Sequence, residues 1–545
     1  MNRARSARPR SHRVAGAGRS APPAARAGAA SRALALALLL GAATGGAAAA
    51  AGATAPAPPP ALAAEAVVVP PGNALLPTVE RRHRGRFGGR ALRYRSVVEE
   101  WPLVGDDGET IATVGAIAYL EEGAGPQRPL IFAFNGGPGS ASLWLHMGLL
   151  GPKRPDYGAQ AGDEEIRPPT APPFALVDNP ESPLDVADVV LIDPPGTGFA
   201  RVVGEANADR VFGVREDAEA IARFIGDWLR RHGRERSPRY LMGESYGTVR
   251  AAEVARLLAG GPTASGRMDG IALNGVMLLG QAMDGSRRGP ELAAVTGLPS
   301  YAATAWYHRA VPRADTLEAH VARARAFAEG PYLQALFQGS RLDASARAAV
   351  AAELAALTGI PAARWRELDL RMDAAAFGRE LLRADGLQVG AYDARFVLPL
   401  AASGGDPVAD DPAMGQYAPL YIAALHTHLR EHLGVAAGRA YNAIEFRRVN
   451  ARFWKGQPPL QDNHALALAT AMRRNPALRV LVATGHYDLV TTTGAAEQAV
   501  ALSGMAPERV TLRTYASGHM PYVGVASRAR LAADVRNFVA SGVSP

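Results

Sequence analysis

Between residues 239 and 258 the chain reads Arg239-Tyr240-Leu241-Met242-Gly243-Glu244-Ser245-Tyr246-Gly247-Thr248, followed by the Ala/Leu-rich run from Val249 to Leu258. An apolar run, a serine bracketed by two glycines and a helix-forming run predict a strand, a sharp turn and a helix. A turn this sharp needs the glycines, because a Cβ would block the crossing of the backbone. It also holds the central Oγ of Ser245 clear of the chain. The same residues could form a plain strand-to-helix turn capped by serine, so the rest of the sequence has to decide.

Elements in the style of that unit recur on both sides. Segments near 91 to 99 and 110 to 120 read as antiparallel strands joined through the turn Gly105-Asp106-Asp107-Gly108. Continuous apolar runs at Pro129 to Phe134 and Asp188 to Asp193 read as buried strands, the first leading into Asn135-Gly136-Gly137-Pro138-Gly139-Ser140 and the second into Pro194-Pro195-Gly196-Thr197-Gly198-Phe199. A helix is predicted over 214–232, with Val214, Ala218, Ile221, Phe224, Ile225, Trp228 and Leu229 on one face and arginines at its end. Another strand is expected at Gly270 to Leu279. The alternation implies right-handed crossovers and a parallel sheet.

From about 283 to 470 the strand rhythm stops and helical patterns take over. One example is Ser345 to Leu357, bounded by Asp343 and by Gly359 and Pro361. Strands return at Arg479 to Thr484, running into Gly485-His486-Tyr487-Asp488, and at Val510 to Tyr515, running into Ala516-Ser517-Gly518-His519-Met520-Pro521. A helix from Thr493 to Leu502 separates them, and a last helix covers about 526 to 540.

The net charge of +8 invites a nucleic-acid reading, but eight arginines lie in the first 32 residues. The remaining 51 basic residues balance 51 acidic ones, which leaves no electrostatic case for nucleic acid or anionic membranes. The arginine-rich start is followed by Ala33 to Leu40 and an Ala/Gly tract, the pattern of a secretory signal peptide with an apolar stretch too short to span a bilayer. An Ala/Pro-rich linker follows. The expected organisation is therefore a signal peptide at 1–52, a disordered linker at 53–85, a first core part at 86–282, a helical cap at 283–470 and a second core part at 471–545. The protein is expected to be exported, periplasmic or secreted, with no stable membrane insertion once the signal is removed. Zero cysteines exclude disulfides, thiolate metal sites and a cysteine nucleophile.

Acyl transfer needs a nucleophile, a base to take its proton and an acid to hold the base's tautomer. Ser245, His519 and Asp488 can fill these roles, in the chain order Ser, Asp, His. A glycine-rich turn such as 135–140, after a central strand, can aim backbone N–H groups at a developing oxyanion. Rival readings are a turn-forming role for Asp488 and a core role for His519, with His486 as an alternative base. Asp193 precedes the serine and heads a Pro/Gly turn, so it reads as structural. A separate chemistry is encoded by His428-Leu429-Arg430-Glu431-His432, which fits the H-x-x-E-H zinc pattern. Both histidines, however, continue the stripe of Tyr421 and Leu425 and close a helix stopped by Gly434, where histidines suit the dipole.

The glycine loop at 135–140, Ile192-Asp193 with Gly196 to Phe199, the turn at 243–247, the Gly485-to-Asp488 turn and Gly518-His519-Met520-Pro521 together resemble the serine carboxypeptidases. The blocks occur in family order from about residue 90 onward. The resemblance implies an α/β-hydrolase fold, a mostly parallel central sheet with helices on both faces and an inserted helical cap. It implies release of C-terminal residues from peptides with a free C-terminus, through an acyl-enzyme and with no cofactor. It further implies an oxyanion hole from the N–H groups of Gly137 and Tyr246, and a site for the substrate carboxylate at Asn135, Gly136 and Glu244. Glu244 can donate to a carboxylate only when protonated, so affinity should fall as pH rises. Where family members carry a second acidic residue after the glycine loop, this chain reads His146-Met147-Gly148-Leu149-Leu150-Gly151-Pro152. An esterase or acyltransferase using the same triad is the alternative within the fold, and a binding protein on an inactive fold is the alternative outside it.

Overall fold

The computed structural model describes residues 75–158, 166–265, 268, 270–284, 289–402, 404–436, 439–456, 460 and 462–542. The signal peptide at 1–52 and most of the linker lie outside the described residues. Nine strands form the main sheet: β1 (Val79–Phe87), β2 (Arg90–Val104), β3 (Thr110–Glu121), β4 (Leu130–Phe134), β5 (Asp188–Asp193), β6 (Arg239–Glu244), β7 (Gly275–Leu279), β8 (Arg479–Gly485) and β9 (Val510–Tyr515). Their spatial order is β1-β2-β3-β5-β4-β6-β7-β8-β9. Pairings from β5 onward are parallel, and those of β1 with β2, β2 with β3 and β3 with β5 are antiparallel. Residues 130–134 of β4 are all buried, as are those of β5 and β7, which is why these strands read as unbroken apolar runs.

Each face of the sheet is covered by helices. On one face Trp228, Ile221 and Phe224 of helix Val214–Arg231 join Val249 and Leu258 of helix Tyr246–Leu258. On the other, Leu531, Val535 and Val539 of helix Val525–Ala540 pack with Tyr417, Leu420 and Tyr421 of helix Met414–Thr427. This is the α/β-hydrolase arrangement, a largely parallel sheet between two helical layers.

Two boundaries differ from the sequence expectation. Strand β1 begins at Val79, inside the segment 53–85 read as linker. Its arginines 81, 82, 84 and 86 are exposed while Val79, His83, Gly85 and Phe87 turn inward, so a charged edge strand occupies the end of the segment read as an Ala/Pro-rich linker. The block 283–470 is also not one cap. Helices from Pro290 to Glu380 enclose a core of their own, in which Tyr301 stacks on Phe377 and Trp365 is buried. Helices Met414–Thr427 and Ala465–Arg474 instead cover opposite faces of the sheet. Helical periodicity reports that a face is apolar, not which surface it meets. Among the described residues no helix is long and apolar enough to cross a membrane.

Candidate active site

Strand β6 ends in Glu244, and Ser245 follows at φ 59° and ψ −129°, outside the ordinary regions for a residue with a side chain. Such a conformation costs about 1–3 kcal/mol and persists only where neighbours enforce it. Here the Ser245 N–H donates to Leu279 O of β7 at 2.9 Å, and the helix starts at Tyr246. A Cβ on Gly243 would lie 2.1 Å from Gly247 O, and one on Gly247 would lie 2.8 Å from Phe134 O, so both positions must be glycine. Behind the turn, Arg250 is fully buried. Its Nε donates to Asp217 Oδ2 at 2.7 Å and its Nη1 to Asn135 O at 2.5 Å, tying the serine helix to the glycine loop.

The histidine and the second acid lie past the carboxyl ends of neighbouring parallel strands, β9 and β8. Asp488 is fully buried. Its Oδ1 accepts from Val490 N and Thr491 N, both at 2.8 Å, and its Oδ2 accepts from Thr491 Oγ1 and lies 2.9 Å from His519 Nδ1. Thr491 Oγ1 also lies 3.1 Å from His519 Nδ1. Burial alone would depress the His519 pKa, but the Asp488 carboxylate outweighs it and the net shift is upward. His519 Nε2 is buried and makes no hydrogen bond among the described residues, so the Ser245–His519 link is open. Both residues line one cavity, together with Asn135, Gly136, Gly137 and Glu244. The glycine loop rests on the serine turn: a Cβ on Gly136 would come within 2.5 Å of Tyr246 N. Neither the Gly137 N–H nor the Tyr246 N–H meets an acceptor among the described residues.

Asn135 Nδ2 donates to Glu244 Oε1 at 3.0 Å, and Asn135 Oδ1 accepts from Leu145 N, which fixes the amide's orientation. Burial, the largest effect, raises the Glu244 pKa to about 7, with Asp488 adding to it and His519, Tyr522 and Asn135 opposing. Trp144, Tyr392, Val408, Met414, Ile444 and Phe446 form the apolar wall of the cavity.

The segment Ala391–Arg395, invisible to sequence reasoning, straps the Asp488 and His519 turns together. Tyr392 O accepts from His519 N at 2.6 Å, Ala394 N donates to Tyr487 O, and Leu489 N donates to Ala391 O. Arg395, paired with Asp393 at 2.6 Å, donates to Ala516 O at 2.9 Å. Tyr392 meets the His519 ring edge-on at 5.4 Å. Replacing Arg395 by methionine strands the buried Asp393 carboxylate, and the expected cost is about 3–5 kcal/mol by urea unfolding. A cost below about 1 kcal/mol would mean that the strap is held by its backbone bonds alone.

The remaining sequence candidates fall outside this cavity's lining. Asp193 accepts from Ser142 N at 2.8 Å and from Tyr441 OH, holding the glycine loop against β5, and burial raises its pKa to about 6. His486 is buried, with its pKa lowered to about 4. His428 hydrogen-bonds through Nε2 to Tyr119 OH at 2.7 Å, and the run 428–432 forms a π-helical turn in which Glu431 pairs with Arg430. Burial drives the His428 pKa well down. Among the described residues no three His, Asp or Glu side chains are grouped to hold a metal ion.

Residues 119–320, which contain the glycine loop and the serine turn, match the serine carboxypeptidase family model. No curated protein sequence matches the chain. Among solved structures, the chain is similar to Kex1(delta)p, a prohormone-processing carboxypeptidase from Saccharomyces cerevisiae, at 14% identity over 82% of this chain and 90% of that chain, with a TM-score of 0.49. A highly thermostable carboxyl esterase from Bacillus coagulans is similar at 12% identity over 82% and 99%, TM-score 0.35. A proline iminopeptidase from Mycobacterium smegmatis is similar at 13% identity over 85% and 99%, TM-score 0.31. The family match runs through the glycine loop and the serine turn, on a sheet of α/β-hydrolase topology, so this stretch of the chain is similar to the serine carboxypeptidases.

Proposed function

We propose that this protein is an exported carboxypeptidase that removes C-terminal residues from peptides through a Ser245-His519-Asp488 triad and an acyl-enzyme. The observation that carries the reading is the convergence on one cavity of three features: Ser245 on its strained turn, the His519–Asp488 hydrogen-bonded pair, and the Asn135–Glu244 pair. Ser245 Oγ attacks the scissile carbonyl carbon while His519 Nε2 takes its proton, and the resulting oxyanion is met by the free N–H groups of Gly137 and Tyr246. The C–N bond then breaks as His519 returns the proton to the leaving amine. Water, deprotonated by the same histidine, releases the shortened peptide and regenerates Ser245. Closing the open Ser245–His519 link is left to substrate binding, as is common for hydrolases without ligand.

Asn135 Nδ2, the Gly136 N–H and protonated Glu244 would hold the substrate's terminal carboxylate. A carboxyl that titrates near pH 7 is protonated below that and a repelling anion above it. The expected KM for free-ended peptides is therefore flat at acid pH and rises about tenfold per pH unit beyond 7. His519 must be neutral to act as base, so kcat falls on the acid side. The apolar cavity wall supports a preference for apolar side chains, about 10–100-fold in kcat/KM over charged ones. The arginine-rich start followed by an Ala/Leu run supports export.

The test is time-resolved mass spectrometry of a mixed peptide library with free and amidated C-termini at pH 4.5 and 7.5. Stepwise loss of apolar residues from free-ended peptides alone is the expected result. Intact peptides beside rapid hydrolysis of a simple ester would replace this reading with the esterase or acyltransferase, and preferred release of charged residues would overturn the apolar preference.

A further inference from the structure

Glu244 enters the cavity with only one of its oxygens engaged. Oε1 accepts from Asn135, whereas Oε2 is buried and has no hydrogen bond of full geometry among the described residues. Facing it is the hydroxyl of Tyr522, also buried and also without a bond of full geometry, close enough to favour the ionised carboxylate. Tyr522 lies three residues after His519, in the same turn past the carboxyl end of β9. Its ring fits beside Glu244 because residue 148 has no side chain: a Cβ there would lie 2.2 Å from Tyr522 Cε2 and 3.1 Å from Tyr421 Oη. Tyr421 in turn hydrogen-bonds Tyr157 through their hydroxyls. The stretch His146 to Pro152 that leaves this space carries no acid.

We propose that Tyr522 is the positioning residue for Glu244: its hydroxyl donates to Oε2 when the carboxyl ionises, and so sets the pH at which the protein releases a peptide's terminal carboxylate. The proposal rests on the assignment of Glu244 to the carboxylate site. The charged and titratable groups that face Glu244 are His519, Asp488, Tyr522 and Tyr421; those facing Tyr522 are Glu244, Tyr421 and Tyr157. His519 and Asn135 also favour the charged form and Asp488 disfavours it, and Tyr522 is the hydroxyl among these groups. Burial and Asp488 hold the carboxyl's pKa up, and a donor to the anion holds it down. Among the described residues no carboxylate hydrogen-bonds the second oxygen of Glu244, which leaves it to the Tyr522 hydroxyl.

The experiment measures kcat and KM separately from pH 5 to 9 on one free-ended peptide, for the wild type and Tyr522→Phe. Removing the donor removes stabilisation of the anion alone, so the protonated, carboxylate-binding form survives to higher pH. The expected result is an upward move of the KM midpoint by about one pH unit, with kcat at pH 5 within twofold of wild type. A merely structural role would change KM or kcat at all pH values without moving the midpoint, and an unmoved midpoint overturns the proposal. A wild-type KM that is flat from pH 5 to 9 removes Glu244 from the carboxylate site instead, which separates the two failures. If Tyr522→Phe does not fold, Gly148→Ala displaces the tyrosine ring with every hydroxyl retained, and the same upward shift is expected; no shift in that variant overturns the proposal equally.

Discussion

Ser245→Ala is expected to lower kcat for peptide hydrolysis by about 10⁵- to 10⁶-fold while leaving Tm within a few degrees of wild type. The large effect follows from the serine being the only atom source for the acyl-enzyme. The small stability change follows from the turn itself: alanine at φ 59° carries the same backbone strain as serine, and the enforcing contacts of Gly243 and Gly247 are untouched. The residual rate, about 10³- to 10⁴-fold above uncatalysed hydrolysis, would come from the N–H groups of Gly137 and Tyr246 and from substrate positioning. Single-turnover assays with mass detection of the acyl-enzyme check this. Activity within tenfold of wild type would remove Ser245 as nucleophile and, with it, the proposed mechanism.

Asp488→Asn is expected to cost about 10⁴-fold in kcat, for a reason the local hydrogen bonds make specific. Oδ1 of Asp488 accepts from Val490 N and Thr491 N. An asparagine keeps its carbonyl oxygen on those two donors, which turns its NH₂ toward His519 Nδ1. That nitrogen must then accept, so the proton moves to Nε2, the atom that has to receive the serine's proton. The base is therefore blocked even though no atom has moved. The same substitution removes the charge that raises the His519 pKa, so the acid limb of the kcat profile shifts to lower pH. With the carboxylate gone, Thr491 Oγ1 at 3.1 Å from Nδ1 is the remaining partner of the ring. A loss below about tenfold would mean that Thr491, not Asp488, holds the tautomer.

For stability the carboxyl of Glu244 works in the opposite sense to a salt-bridged acid. Its folded pKa of about 7 lies above the unfolded 4.5, so the folded state holds more protons between these values. Stability from this group is present below pH 4.5 and declines as pH rises to 7.

The sheet, the serine turn and the chain order of the three candidate catalytic residues were legible in residues alone, because each is written in a local pattern. A strand buried on both faces has to be apolar throughout, as β4 and β5 are. A turn in which backbone crosses backbone has to carry glycine at 243 and 247. Residues placed just past parallel strands arrive at one edge of the sheet whatever the loops do.

What tertiary structure alone decided is everything that depends on two distant segments meeting. The end of the segment read as an Ala/Pro-rich linker is an edge strand whose partner lies in β2, and the block 283–470 divided into a cap with its own core and two helices that belong to the sheet. Arg250 on Asp217, the strap at 391–395 across the Asp488 and His519 turns, and Tyr522 filling the space over Gly148 join residues whose separation carries no period and no motif. Periodicity records which face of an element is apolar, and turn chemistry records where the backbone must bend. Neither records which neighbour a buried side chain will meet, and at this site those meetings orient the histidine and set the proton affinity of Glu244.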